Sequence, residues 1–401
     1  MLFEPLEPNE RFRARREAAR RRQRRRRSIA VALLLTCLLG LAAGAKVITG
    51  AQEGAQHGVH AAATAKPTPV AKPKPVALQP RALPKEVRGV HVTMALASLD
   101  GKLKEYLDLT REGLNTIELD IKDENGEVGF VASAVPLATK VGAARPYYKP
   151  RQVAKAVHAR GVYLIGRVVM FEDPRLSEAR PDLAIQTSSG AVWRNDAGLG
   201  WTNPYDRRVW EYNVSIAEVA ARAGFDEIQF DYVRFPTDGD IDGIVYPGKT
   251  ATPPAWVIAE FVHYASKRLK PLGVRISTDV FGLAATRDLG IGQLPKRIAK
   301  YVDAVYPMVY PSHYGPGEYG LDDPNASPGE TVQFSLSHFR RELRASKAEL
   351  IPWLQDFSYG RTYGPADVQA QIAAARKQGA RGYLLWNAAG VYTPGALAPA
   401  P

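Results

Sequence analysis

The stretch Ile228-Gln229-Phe230-Asp231-Tyr232-Val233-Arg234-Phe235-Pro236 decides how this chain is read. Its apolar residues make a buried strand, which Asp231 interrupts with a charge that is costly to bury unless the fold has a use for it. The strand delivers a carboxylate, and then an arginine, to its C-terminal end. The same arrangement recurs around Asp120, Asp279 and Asp356, each in or at the end of its own strand-like run.

Outward from that strand, the chain alternates apolar runs with amphipathic segments. The pattern predicts strands at 89–94, 115–121, 163–170, 227–235, 275–281, 304–310, 350–357 and 382–387. Helices are predicted between them at 102–111, 150–159, 206–223, 254–270, 294–301, 327–345 and 365–377. Pro150, Pro254 and Pro365 stand where a first helical turn accepts proline. Gly113, Gly161, Gly224, Gly273 and Gly379 stand where a left-handed C-cap is expected. A repeated helix–Gly–strand order over some 300 residues, 87–395, predicts an α/β fold of (β/α)8 TIM-barrel type. A doubly wound open sheet is the alternative, but no glycine-rich phosphate loop follows the first strand.

The net charge of +12 suggests nucleic acid until it is located: residues 1–27 carry +7 and residues 28–86 carry +4, leaving +1 for the rest. The barrel is nearly neutral, which excludes a nucleic-acid partner for it. The basic tail 1–27, ending in the arginine run from Arg20 to Arg27, directly precedes an apolar segment at 29–45 that Val47 and Ile48 extend past Lys46. A basic flank before an apolar run predicts a transmembrane signal anchor at 28–49, with the remainder translocated. A cleaved signal peptide releasing a secreted form is the competing reading. Residues 50–86 form an Ala/Pro/Lys-rich linker, extended and semi-rigid through Lys-Pro-Thr-Pro-Val-Ala-Lys-Pro-Lys-Pro from Lys66 to Pro75. The expected location is a single pass in the cell membrane with the barrel on the extracytoplasmic side. Cys37, the sole cysteine, falls inside the anchor, so the barrel must be held by its core without disulfides.

In such a barrel the active site lies at the C-terminal ends of the strands. Those positions hold Asp120, Arg167, Asp231, Arg234, Asp279, Tyr310, His313, Gln355, Asp356, Trp386 and Asn387. The set is rich in carboxylates and aromatics. Glycoside cleavage needs one carboxyl group protonated, to assist the leaving oxygen, and another ionised, to attack the anomeric carbon or activate water. Arg167 or Arg234 beside Asp231 would suit the ionised partner, and Trp201, Tyr310 and Trp386 offer flat faces to sugar rings. Glu172, Asp173, Glu318, Asp322 and Asp323 lie in loops, where solvated surface is the default and a missing acid the alternative. The histidines are scattered and no nucleophile elbow is present, so neither a metal nor another cofactor is called for.

The pieces Glu118-Leu119-Asp120-Ile121-Lys122-Asp123, Arg167-Val168-Val169-Met170-Phe171, Trp201-Thr202-Asn203-Pro204-Tyr205, Phe230-Asp231-Tyr232-Val233-Arg234-Phe235-Pro236 and Tyr306-Pro307-Met308-Val309-Tyr310 resemble those of a bacterial family of glycoside-hydrolase-like barrels, distantly related to α-amylase-type enzymes. The resemblance covers roughly 88–390. It implies catalytic carboxylates after strands four, five and seven, here Asp231, Asp279 and Asp356, although amylases carry Glu at the second of these. A second barrel clan uses two Glu, on strands four and seven. The expectation is a glycosidase acting on an envelope or extracellular polysaccharide, with Asp231 as nucleophile or charge stabiliser, Asp279 as acid, and Asp356 and Asp120 holding sugar hydroxyls. A non-catalytic carbohydrate-binding or envelope-assembly barrel is the alternative.

Overall fold

The computed structural model describes residues 80–400. The predicted tail, anchor and most of the linker lie outside them. Among the described residues no helix is long and apolar enough to cross a membrane.

Eight parallel strands close into a barrel. They are β1 Val87–Val92, β2 Thr116–Lys122, β3 Tyr163–Val169, β4 Glu227–Asp231, β5 Arg275–Phe281, β6 Ala304–Val309, β7 in two pieces (Glu349–Leu350 and Trp353–Gln355) and β8 Gly382–Trp386. Each pairs with the next, and β8 pairs back onto β1 from Val87↔Gly382 to Val90↔Leu385, so no edge is left. Proline opens the helices Pro150–Ala159, Pro254–Leu269, Pro328–Leu343 and Pro365–Lys377. All five glycines expected to end helices have positive φ, from 69° at Gly379 to 108° at Gly113.

Alternation along the strands sorts the side chains. Leu164, Val168, Ile228 and Phe230 face out and join the core beneath the helices. Val87, Tyr163, Ile165, Ala304, Tyr306, Ile351, Trp353 and Leu384 form a separate cluster inside the barrel. Asp231 is on the inner face because it is two residues from Gln229 and four from Glu227, all of them buried.

Two strands depart from the apolar pattern by more than a residue or two. Strand four stops at Asp231, four residues before Phe235, because Tyr232 turns left-handed at φ 51°. Strand seven breaks at Ile351-Pro352, since proline has no N–H to give the ladder, and resumes at Trp353.

Candidate active site

Arg167, inward at the upper part of β3, organises the strand-end cluster. Its Nε and Nη2 donate to Asp231 Oδ2 at 3.0 and 2.7 Å, and its Nη1 donates to Asp120 Oδ1 at 2.8 Å. Glu118 and Glu124 stand at 3.8 and 3.7 Å from the same guanidinium. Both Arg167 and Asp231 are buried, so the pair is little screened.

His91 enters from β1. In register with Glu118, its Nδ1 bonds the Glu118 carboxylate, while its Nε2 lies 3.6 Å from Asp120. Burial opposes a charge on this imidazole, but Glu118 and Asp120 together hold its pKa above the ordinary value. Trp386 covers the group, 4.4 Å from the His91 ring and 5.7 Å from the Arg167 guanidinium.

Asp279 faces the same space from β5. The register Phe230↔Thr278 sets Asp231 and Asp279 side by side on neighbouring strands. Trp353 Nε1 donates to Asp279 Oδ1 at 2.7 Å. Burial first, then the charges of Asp231 and Glu118, push Asp279 well above the carboxylate range. Neighbouring carboxyl groups thus sit in opposed environments, one on a guanidinium and the other buried where its neutral form is favoured.

Around this floor stands an aromatic rim. Tyr310, Phe357, Tyr359 and Trp386 are half-buried and His313 is exposed. Tyr310, His313 and Phe357 lie 5.6–6.0 Å apart. The buried Gln355 ties this side together: its Oε1 accepts from Ser312 N and its Nε2 donates to Phe357 O. Gln355 is therefore a brace beneath the rim.

Other candidates are placed differently. Arg234 does not reach Asp231; its guanidinium lies 4.8–4.9 Å from the rings of Trp201, Tyr232 and Phe281, and it donates to Phe235 O and Thr237 Oγ1. Trp201 is fully buried under it and presents no face to a sugar. Asp356 is bonded to Thr393, with Oδ2 accepting from Thr393 N at 2.8 Å and Oδ1 from Thr393 Oγ1 at 2.6 Å. Asn387 caps this corner by donating to Asp356 O and accepting from Ala389 N. Asp356 and Asn387 therefore anchor the C-terminal segment, and Asp120 is committed to Arg167 and His91. Thr393→Val should cost about 1–3 kcal/mol by stranding a buried carboxylate oxygen. Urea denaturation would show the loss, with turnover per folded molecule preserved.

Among the loop acids, Asp173 pairs with Lys122 at 2.9 Å and caps Leu176 N, while Glu318 pairs with Arg287 and Asp322 and Asp323 are exposed. Glu172 is the exception. It is buried, accepts from Asn195 Nδ2 at 3.1 Å, and burial pushes its carboxyl up to about 8 against the pull of Arg234. The folded protein thus holds a proton that the unfolded chain releases near the ordinary 4.5. That contribution is full below this pH and is lost as pH rises towards 8, a decline of roughly 4 kcal/mol. Glu172→Gln should flatten the fall in stability between pH 5 and 8, measured by denaturation at each pH; an unchanged slope would place the proton elsewhere.

His91, Glu118 and Trp353 are not among the site residues expected from sequence, and Glu172 is expected there only as a loop acid, solvated by default, with a missing acid as the alternative. A signal existed for Glu118, two residues before Asp120 and so on the same strand face. Among the described residues, no three His, Cys, Asp or Glu side chains are arranged to hold a metal ion.

The model of a family described as "putative glycosyl hydrolase domain" matches residues 89–392. The chain belongs to that family. Its enzyme class is therefore glycoside hydrolase, and the matched span includes every strand-end residue of the cluster. Among solved structures, a hypothetical protein from Ruminiclostridium thermocellum is 36% identical over 48% of this chain and 97% of its own, with a TM-score of 0.43. The PgaB (BpsB) glycoside hydrolase domain from Bordetella bronchiseptica shares 14% identity, covering 75% of this chain and 94% of its own, with a TM-score of 0.55. The β-amylase catalytic domain from Paenibacillus polymyxa, also 14% identical, covers 80% and 96% with a TM-score of 0.51. These last two share the barrel fold with this glycosyl hydrolase domain. No curated protein matches.

Proposed function

We propose that this chain is a membrane-anchored glycosidase whose barrel stands on the extracytoplasmic side and cleaves an envelope or extracellular polysaccharide. The observation that carries the chemistry is the side-by-side pair at the ends of β4 and β5: Asp231 on the Arg167 guanidinium, and Asp279 buried beside it, where burial favours the protonated carboxyl. Asp279 Oδ1 is occupied by Trp353, which leaves Oδ2 to carry that proton to the leaving oxygen as the glycosidic bond breaks. Asp231 meets the charge that develops at the anomeric carbon, and water supplies the hydroxyl of the new reducing end while Asp279 regains its proton. Tyr310 and Trp386 are the aromatic faces placed to support sugar rings. Anchoring is supported by the arginine run before the apolar segment 29–45, and by the Pro/Lys-rich spacer that follows.

The test is release of reducing ends from a panel of bacterial envelope polysaccharides by the wild type and by Asp231→Asn. Release that vanishes in the variant supports the reading and identifies the substrate. Equal binding by both proteins without release would favour a binding barrel instead. Retention of the protein in alkali-washed membranes, with the barrel cut by protease added to intact spheroplasts, tests the topology.

A further inference from the structure

We infer that Gln293 is a positioning residue, whose side-chain amide clamps the C-terminal ends of β4 and β5 together and so sets the spacing between Asp231 and Asp279. This rests on those two carboxyl groups being the reacting pair proposed above. At the level of the site each strand is held by its outer neighbour. Asp231 pairs with Val169 on β3, and its carbonyl accepts from Met170 N at 2.9 Å. On the other side β5 stays paired with β6 from Asp279↔Tyr306 to Phe281↔Met308. Between β4 and β5 the ladder ends at Phe230↔Thr278, one residue short of both carboxyl groups. The barrel wall is therefore unladdered at the point where their spacing matters.

Gln293 crosses that gap. Its Oε1 accepts from Phe281 N at 2.9 Å, and its Nε2 donates to Asp279 O and to Val233 O, each at 3.3 Å. Two carbonyls and one N–H decide which end of the amide faces which strand, because the flipped amide would satisfy none of the three. The side chain is buried, so these bonds are costly to leave unmade. The segment that carries it is seated from outside the barrel. Gly292 has φ 83°, and a Cβ there would meet Pro254 O at 2.9 Å and Ile258 Cγ1 at 2.8 Å, both on the helix Pro254–Leu269. Phe235 N donates to Ile291 O at 2.9 Å, a second tie to the chain leaving β4.

The experiment compares wild type, Gln293→Met and Gln293→Glu in the full-length protein purified in mild detergent. Met has the length of Gln but cannot make these bonds. Glu keeps an acceptor for Phe281 N and can donate to one of the carbonyls only while protonated. Two readouts are taken: residue-resolved hydrogen exchange at amide 281, and kcat and KM across pH for reducing-end release from the same envelope polysaccharide panel. The expected result is protection of amide 281 in the wild type and in Gln293→Glu, and its loss in Gln293→Met. Turnover in Gln293→Met should fall on the order of 100-fold with KM nearly unchanged, as for misplaced reacting groups.

The pH profile separates spacing from stability. Asp279 is faced by Asp231, Glu118, Arg167 and Tyr310, and after burial the charge of Asp231 does most to hold its carboxyl up. Parting β4 from β5 weakens that charge and admits solvent, and both effects lower Asp279. The alkaline limb of kcat should therefore move to lower pH in Gln293→Met, while Gln293→Glu recovers turnover towards acid pH. Unchanged protection at amide 281 in Gln293→Met would overturn the inference, as would a loss of turnover with the alkaline limb unmoved. If the wild type releases no sugar, the glycosidase reading fails, and exchange at amide 281 still decides whether Gln293 clamps the two strands.

Discussion

Asp231→Asn should lower turnover by at least about a thousandfold while leaving the barrel folded. The substitution is isosteric, yet it damages the site in two ways. It removes the charge that meets the anomeric centre, and it introduces an NH2 group where both oxygens face donors. With the amide nitrogen at the Oδ2 position, it opposes Arg167 Nε and Nη2; flipped, it opposes the N–H of Tyr232. No rotamer flip relieves the conflict. The measurement is reducing-end release at saturating polysaccharide, with folding checked by near-UV circular dichroism. Turnover equal to wild type would remove Asp231 from the chemistry and leave the family's reaction to other residues.

Arg167→Met should destabilise the barrel by about 3–5 kcal/mol, because removing one partner strands its buried counter-charges. Asp231 and Asp120 are bonded to this guanidinium, and Glu118 and Glu124 lie within 4 Å of it. His91 is the other basic side chain facing them, and it is already engaged by Glu118. Arg167→Lys should recover little, since a single ammonium cannot span both Asp120 and Asp231 as the planar fork does. Urea denaturation followed by tryptophan fluorescence gives the difference. A loss below about 1 kcal/mol would show that the network behaves as a screened surface cluster.

The sequence alone determined the barrel and which strand ends carry its carboxylates. Apolar alternation has a period of two, so Asp231 is carried to the inner face of β4 with Gln229 and Glu227, whatever the rest of the chain does. Proline at helix starts and positive-φ glycine at helix ends are local φ preferences, and they punctuate the βα units without reference to distant contacts. Tertiary structure decided which groups meet. Arg234 is three residues from Asp231 but is turned into an aromatic cage, because the chain goes left-handed at Tyr232 and strand four ends early. Arg167, 64 residues away, becomes the partner because β3 and β4 pair in a register that places Val169 opposite Asp231. Asp356 lies at a strand end by pattern, yet its carboxylate is taken by Thr393 from the C-terminal segment. Glu172 reads as a loop acid and is buried only by the packing of the loop that carries Asn195 and Trp201. Local periodicity and backbone preference are written into neighbouring residues, whereas charge partners and burial depend on strand register and barrel closure, which only the assembled chain supplies.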